Sequence, residues 1–192
     1  STAPILAVMP GSRLSEVKIM TRLFLDVVLK LRTDMPNLQV VLPAASDTLY
    51  LELEKIISEH PCKDIRLINK QSRLAMTAAD AVLLTSGTTS LEAMLLKKPM
   101  VVSYKLGLLT YKIVAPFIHA PYIAIPNLLA NRMLVPEFVQ TDASAEKIGV
   151  AVRKMFDDNF SSRLAPQYDR LHRKLNIESG ALAAEAIVEL IT

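Results

Sequence analysis

The chain has 192 residues, of which 51% are hydrophobic, and its 22 Lys and Arg against 19 Asp and Glu give a formal net charge of +3. Such a small excess of basic residues, not gathered in one block, argues against a nucleic-acid-binding protein. The one cysteine excludes an intrachain disulfide and fits a reducing compartment, and the length fits one large domain or one and a half.

Apolar runs of strand length alternate with helical patterns along most of the chain. The pattern predicts, in chain order, strand 5–9, helix 15–35, strand 38–42, helix 48–59, strand 65–68, helix 72–79, strand 81–85, helix 89–96, strand 100–103, helix 108–117 and strand 122–125. Strands that alternate with helices form a parallel sheet covered on both faces. We therefore expect an α/β fold with a doubly wound parallel sheet of about six strands, whose carboxyl ends share one edge.

The pattern changes after Gln140, where helices are predicted over residues 144–156, 161–175 and 178–191. The break between the first two of these helices gives a predicted sheet domain, 1–158, and a C-terminal helical segment, 159–192. The chain starts with Ser1-Thr2-Ala3-Pro4, without a Met and without the basic and apolar start of a signal peptide. We therefore expect it to be part of a longer protein.

The turn after predicted strand 81–85 is suited to bind an anion. Ser86, Gly87 and Thr88 precede an apolar helix, and a helix N-terminus offers unpaired N–H groups and a positive dipole end. Glu92 follows one turn later, where it could accept hydrogen bonds from two vicinal hydroxyl groups such as those of a ribose. The alternative is a capping box over residues 89–92, in which Glu92 reaches back to the start of its own helix.

A second turn of this kind, Pro10-Gly11-Ser12-Arg13, follows predicted strand 5–9. Gly11 allows a ligand to approach closely, and Arg13 can bind phosphate oxygens in a bidentate manner. The turn matches neither the Walker loop nor the Gly-x-Gly-x-x-Gly pattern, and a plain strand-to-helix turn with a solvated Arg is the alternative. Two such turns on one sheet indicate a phosphate-containing ligand, above all a nucleotide.

Segment 126–140 places Asn127, Asn131, Arg132, Glu137 and Gln140 among apolar residues. Burying a polar group without a partner costs about 1–3 kcal/mol. These side chains are therefore expected to pair with one another, with the backbone or with a ligand, and the sequence leaves these alternatives open.

Metal-ligand spacing is not apparent in the sequence. His60, His119 and His172 lie far apart, and one cysteine cannot form a thiolate cluster. We expect neither a metal site nor a cofactor.

Four segments taken together resemble the lipid-A-disaccharide synthases: residues 10–16 (PGSRLSE), 85–94 (TSGTTSLEAM), 98–102 (KPMVV) and 126–140 (PNLLANRMLVPEFVQ). Their order and spacing fit as well as their content, most closely from Ile5 to Asp157. That family consists of inverting glycosyltransferases with two Rossmann-like domains, the arrangement called GT-B. The chain resembles the C-terminal half, which holds the UDP-sugar donor.

The resemblance implies transfer of a diacylglucosamine unit from UDP-2,3-diacylglucosamine to the 6-hydroxyl of 2,3-diacylglucosamine 1-phosphate, without a nucleotide-bound metal. The expected partners are this donor, the lipid acceptor, the missing N-terminal domain, the membrane surface and a second copy in a homodimer, with no nucleic acid. The expected location is cytoplasmic, peripheral on the inner face of the inner membrane. The catalytic base is expected in the N-terminal half, so the isolated chain is expected to be inactive.

The resemblance also implies roles for individual residues. Gly11, Ser12 and Arg13 face the diphosphate together with Ser86, Gly87 and Thr88, and Glu92 faces the ribose. Four further residues are expected near the donor sugar: Asn127, Arg132, Glu137 and Gln140. The chain departs from the family pattern at Asn131, where Gly is expected, and at Lys105, where Arg is expected.

Other functions fit part of the pattern. Another GT-B enzyme, such as a UDP-N-acetylglucosamine epimerase or the peptidoglycan transferase, shares the strand–turn–helix–Glu donor site, and a non-catalytic anion-binding α/β module is a third alternative. Residues 113–131, which overlap the apolar segment 106–129, contain no Asp, Glu, Lys or Arg but are interrupted by three prolines, so we expect no membrane span there. Segment 106–129 is expected either to meet acyl chains or the membrane surface, or to pack against the missing half.

Overall fold

A computed structural model describes residues 3–107, 121–176 and 188–189 of the chain. Its centre is a six-stranded, all-parallel sheet with the strand order β3-β2-β1-β4-β5-β6. The strands are β1 (Ile5–Met9), β2 (Gln39–Ala44), β3 (Arg66–Asn69), β4 (Ala81–Leu84), β5 (Met100–Tyr104) and β6 (Glu137–Val139). This order is that of a Rossmann-type, doubly wound sheet, so the predicted fold class is confirmed.

Seven α-helices are described around this sheet: α1 (Leu14–Asp34), α2 (Asp47–Glu59), α3 (Ser72–Ala78), α4 (Thr88–Leu95), α5 (Ile125–Ala130), α6 (Ala145–Met155) and α7 (Asp158–Leu175). Successive residues of a strand point to opposite faces. Leu6 and Val8 therefore join the core under α1, α2 and α6, whereas Ala7 and Met9 join the core under α3, α4, α5 and α7.

The prediction of a strand over residues 122–125 is wrong. Residues 121, 123 and 124 form bends, and Ile125 begins α5 with Pro126 in its first turn. The N–H groups of Ile123 and Ala124 donate to the Glu137 carboxylate, at 2.8 and 2.9 Å, and are therefore not available for a strand ladder. The sixth strand is instead the three-residue β6, which pairs with β5.

Two predicted helices are not tested by the structure. Helix 108–117 lies outside the described residues, and so does helix 178–191 except for Val188 and Glu189, which are helical.

Helix α7 begins at Asp158, three residues before the predicted start, because the Asp157 carboxylate caps it by accepting from the Asn159 N–H at 2.8 Å. The helix packs on the sheet domain through Leu164, Tyr168 and Leu171, which are buried in the second core. Contact between residues 159–192 and a missing half or a second subunit stays a prediction.

Tyr168→Phe is expected to leave the free energy of unfolding unchanged at neutral pH or to raise it by up to about 1 kcal/mol. The Tyr168 side chain is fully buried, and its hydroxyl has no hydrogen-bond partner within the described part of the chain. Burial raises the pKa of this phenol. Below the unfolded-state pKa of about 10, the phenol is neutral in both the folded and the unfolded state, so its ionisation does not affect the free energy of unfolding. Above that pH the unfolded chain loses the phenolic proton first, so the free energy of unfolding of the wild type falls as the pH rises.

The measurement is urea denaturation at pH 7 and at pH 10.5, with Tyr50→Phe on α2 as the control. The stability of Tyr168→Phe relative to the wild type should increase at the higher pH. A loss of more than about 1 kcal/mol at pH 7 would mean that the hydroxyl has a partner after all.

Candidate functional site

The two turns singled out in the sequence meet at the centre of the sheet. Strands β1 and β4 are neighbours, with Met9 paired to Leu84 at their carboxyl ends. The chain leaves β1 toward α1 on one face and leaves β4 toward α4 on the other. This is the point where the strand order reverses, and ligands of open α/β sheets bind in the crevice that such a reversal creates.

A cavity of about 540 Å³ lies at this point. It is lined by Ser12, Arg13, Glu16, Ser86, Gly87, Thr88, Tyr104, Leu106, Ile123, Val139 and Gln140. Six of these residues were predicted from the sequence, and the structure brings them together. A larger cavity, about 640 Å³, lies between α1 and α6, but four of its six charged residues pair with each other, Lys30 with Glu146 and Arg153 with Asp34.

The start of α4 lies at the cavity, where Ser86, Gly87 and Thr88 line it. Gly87 is the N-cap residue and no side chain in the described residues caps the helix, whereas Ser46 caps α2 and Ser144 caps α6. Gly87 has φ +133°, a conformation that L side chains rarely adopt, and a Cβ placed there would meet nothing within 4 Å. The glycine is therefore needed for the turn itself.

Two serines tie this turn to the start of α5. Ser86 donates its hydroxyl to the Ile123 carbonyl at 2.7 Å. Ser90, which is fully buried and was not predicted, donates to the Gly87 carbonyl at 2.7 Å and accepts from the Ile125 N–H at 3.2 Å. These bonds hold the backbone of the turn, so Ser86 contributes its backbone rather than a free hydroxyl.

Glu92 does not cap α4, and the capping-box alternative is wrong. The helix begins at Thr88, so its third residue is Ser90 and Glu92 is the fifth. Glu92 is exposed and is not among the residues that line the cavity. Within the described residues its carboxylate makes no hydrogen bond or ion pair, and it is therefore available to a ligand.

Arg13 is the cation of the site, and Glu16 holds it. Arg13 Nη1 lies 3.3 Å from Glu16 Oε1, and the Arg13 backbone N–H donates to Glu16 Oε2 at 3.4 Å. The Tyr104 hydroxyl at the end of β5 donates to the same Oε1 at 3.0 Å. Gly11 has φ +113°, and a Cβ there would lie 2.7 Å from Glu16 Oε2, so Gly11 makes room for the carboxylate.

Tyr104 remains a hydrogen-bond donor at neutral pH. Burial raises the pKa of its hydroxyl, and the hydrogen bond to the Glu16 carboxylate raises it further. Neither Glu16 nor Tyr104 was predicted as a site residue. Tyr104 could have been found from its place at the carboxyl end of a strand adjacent to β4.

Gln140 lines the cavity in an unusual conformation. Its φ is +52°, in the left-handed region, and its Nε2 is buried without a hydrogen-bond partner in the described parts of the chain. Left-handed backbone at a residue other than Gly costs about 1–3 kcal/mol, and such residues gather at functional sites. The side-chain amide is therefore available to a bound molecule.

Five of the predicted site residues do not line the cavity: Gly11 and Glu92, described above, and three residues of segment 126–140. Asn127 is fully buried and bonded within its own segment, and the Glu137 carboxylate accepts from the N–H groups of Ile123 and Ala124. Arg132 is exposed and donates to Gln167 Oε1 at 2.9 Å. Internal pairing, left open by the sequence, is observed for all three, and their contact with a donor sugar stays a prediction.

The structure accommodates the two residues that depart from the family pattern, Asn131 and Lys105. Asn131 has φ +50° and ψ +34° at the C-terminal end of α5, a left-handed conformation that Asn tolerates, so the turn expected for Gly is kept. Lys105 follows β5 and is not among the residues lining the cavity.

In the described residues, no group of three His, Cys, Asp or Glu side chains could hold a metal ion, and no helix is long and apolar enough to cross a membrane.

Comparison with protein families gives a match over nearly the whole chain. The family described as "Lipid-A-disaccharide synthetase" matches residues 1–190. A lipid-A-disaccharide synthase of Chromohalobacter salexigens is 45% identical over 100% of this chain and 50% of its own length. One from Pseudomonas aeruginosa strain PAO1 is 40% identical over 97% of this chain and 49% of its own length. The chain therefore spans about half the length of the curated relatives it matches.

Solved structures show the same fold at low sequence identity. The pneumococcal O-GlcNAc transferase GtfA, solved with UDP and GlcNAc, aligns with a TM-score of 0.61 at 14% identity over 97% of this chain and 36% of its own. The C-terminal CMP-Kdo binding domain of WaaA from Acinetobacter baumannii aligns with a TM-score of 0.55 at 11% identity over 88% of both chains. These matches support the fold of one half of a GT-B glycosyltransferase.

Proposed function

Because this chain belongs to the lipid-A-disaccharide synthetase family, we propose that it is the half of such an enzyme that binds the UDP-sugar donor. The observation that carries the proposal is the cavity at the reversal point of the sheet. There the uncapped start of α4 and the guanidinium of Arg13 face one space of about 540 Å³. Backbone N–H groups at a helix start and an Arg side chain are both suited to phosphate oxygens.

The proposed roles follow the positions of the residues. The turn 86–88 and Arg13 hold the diphosphate, with Gly11 and Ser12 shaping the opposite turn. Glu92, exposed one turn further along α4, accepts from the ribose hydroxyls. Gln140, whose buried amide nitrogen has no partner among the described residues, donates to the ligand beyond the phosphates.

We propose an indirect role for three predicted residues that do not line the cavity: Asn127, Glu137 and Arg132. Asn127 and Glu137 hold the segment that brings Ile123 and Val139 to the cavity wall, and Arg132 fixes α5 to α7. A direct contact with the donor sugar would require these bonds to open.

The proposed reaction of the complete enzyme joins UDP-2,3-diacylglucosamine to 2,3-diacylglucosamine 1-phosphate and releases UDP. In the transition state negative charge grows on the departing diphosphate, and a cation and helix N–H groups already in place stabilise it. This chain thus holds the leaving group. The catalytic base and the acceptor pocket belong to the proposed N-terminal half.

Two further partners are proposed on the same basis. The donor and acceptor carry acyl chains, so the complete enzyme is proposed to work as a peripheral protein on the cytoplasmic side of the inner membrane. Residues 106–129 are proposed to meet acyl chains or the membrane surface, or to pack against the N-terminal half. Residues 159–192 are proposed to pack against the N-terminal half or a second subunit. The neighbouring structures of CMP-Kdo-binding and UDP-bound proteins are in keeping with a nucleotide-sugar site.

The experiment that tests the proposed function is a chimera in which this chain replaces the C-terminal half of the Chromohalobacter salexigens relative. With both lipid substrates, the chimera should form the disaccharide and release UDP, and this chain alone should not. A chimera that folds and binds UDP but forms no disaccharide, under conditions where the relative does, would contradict the proposed reaction.

A further inference from the structure

Glu16 places a carboxylate inside a site built for anions. It lines the cavity, and 14% of its side chain is exposed, against 78% of the Arg13 side chain. A negative charge beside a diphosphate is unfavourable by itself. Its presence needs a physical reason beyond the phosphate contacts proposed above.

A helix cap explains only part of the arrangement. Glu16 is the third residue of α1, and Oε2 accepts from the Arg13 N–H at the N-cap position, as in one half of a capping box. The other oxygen, Oε1, makes two contacts that a helix cap does not require: it accepts from the Tyr104 hydroxyl at 3.0 Å and lies 3.3 Å from Arg13 Nη1. Tyr104 is on β5, two strands away from the β1 turn, so Glu16 connects the two walls of the cavity.

We infer that Glu16 is a positioning residue, which holds the Arg13 guanidinium ready for a diphosphate while Tyr104 holds Glu16. This inference rests on the proposed function. A guanidinium has five N–H groups, and the bond to Glu16 uses one of them, which leaves donors for phosphate oxygens. Arg13 is otherwise a long, exposed side chain that would have to be ordered by the ligand, and ordering such a side chain lowers affinity.

The test uses UDP and uridine titrations of this chain followed by NMR. Glu16→Ala should weaken UDP binding about threefold to tenfold, the range expected when one long side chain is no longer ordered in advance. Uridine, which has no phosphate for Arg13 to contact, should bind as it does to the wild type. Glu16→Gln keeps an oxygen that accepts from Tyr104 and Arg13, and should recover most of the affinity for UDP.

Two further variants separate positioning from a general loss of structure. In an Arg13→Ala background, Glu16→Ala should cause no additional loss of UDP affinity, because the two residues act as one unit. The matched control is Glu146→Ala, which removes another first-turn Glu in a surface ion pair, at 3.1 Å from Lys30 and outside the cavity. It should not change UDP binding.

Several outcomes would overturn the inference. They are unchanged or tighter UDP binding by Glu16→Ala, an equal loss for UDP and uridine, and a full additional loss in the Arg13→Ala background. If the wild-type chain itself failed to bind UDP, the proposed donor site would fail instead, so the two failures are distinguishable.

Discussion

Arg13→Ala is expected to weaken UDP binding about tenfold to thirtyfold. Hydrogen bonds to charged groups contribute about 1.5–3 kcal/mol, and about 1.4 kcal/mol corresponds to a tenfold change in affinity. The lower part of that range applies because 78% of the Arg13 side chain is exposed. The loss should be specific for the phosphates, so uridine should bind equally to the variant and to the wild type. Isothermal titration calorimetry or NMR titration measures both ligands.

Arg22→Ala is the matched control for this variant. Arg22 is also on α1, but it pairs with Glu59 at 2.8 Å on the outer surface and does not line the cavity. Arg13→Lys should give an intermediate affinity, because an ammonium keeps the charge but not the planar fork of donors. Equal UDP affinities for wild type and Arg13→Ala would remove Arg13 from the site.

Asn127→Ala is expected to lower the free energy of unfolding by about 3 kcal/mol or more. Asn127 Oδ1 accepts from the N–H groups of Leu134 and Val135 at 2.7 and 2.9 Å. Its Nδ2 donates to the Val135 carbonyl at 2.8 Å and to Glu137 Oε1 at 2.7 Å. The side chain is fully buried, so alanine removes the partner of two N–H groups and of the Val135 carbonyl, whereas Glu137 Oε1 keeps its bond from the Ala124 N–H.

Urea denaturation of the variant measures this loss, and Asn159→Ala on the exposed start of α7 is the control. Asn127→Asp should also be destabilising, because it replaces the donor to Glu137 with a second carboxylate oxygen. If Asn127→Ala were as stable as the wild type but bound a UDP-sugar weakly, Asn127 would be a donor contact rather than a structural residue.

The fold could be predicted largely because local patterns agree with the tertiary structure. Strands β1 and β4 are buried on both faces and therefore appear as uninterrupted apolar runs. Residues 122–125 (YIAI) have the same appearance, yet they form the entry to α5. The deciding contact is with Glu137, 13 and 14 residues away, and a local pattern contains no sign of it. The three-residue β6 was missed for the opposite reason, since it is short and only partly buried.

The two turns that line the cavity could be predicted because a strand, a glycine and a helix start follow one another directly in the sequence. The contacts around Arg13 could not be predicted. Glu16 also fits a simple helix cap, and Tyr104, which donates to Glu16, lies 88 residues further along the chain. The polar side chains of the mostly apolar segment 126–140 were predicted to be paired, but the sequence alone could not distinguish pairing with one another or with the backbone from pairing with a ligand. The structure shows the internal network around Asn127 and Glu137, and of the polar residues singled out in this segment only Gln140 lines the cavity, next to Val139.

The central claim is that the turns after β1 and β4 form one nucleotide-diphosphate site, and titration of the isotope-labelled chain with UDP tests it most directly. We expect the largest NMR shift changes at residues 11–13, 86–88 and 92, saturating together with one dissociation constant, and small changes around Lys30 and Glu146 in the cavity between α1 and α6. A folded chain whose signals at these turns did not move at millimolar UDP would contradict the account.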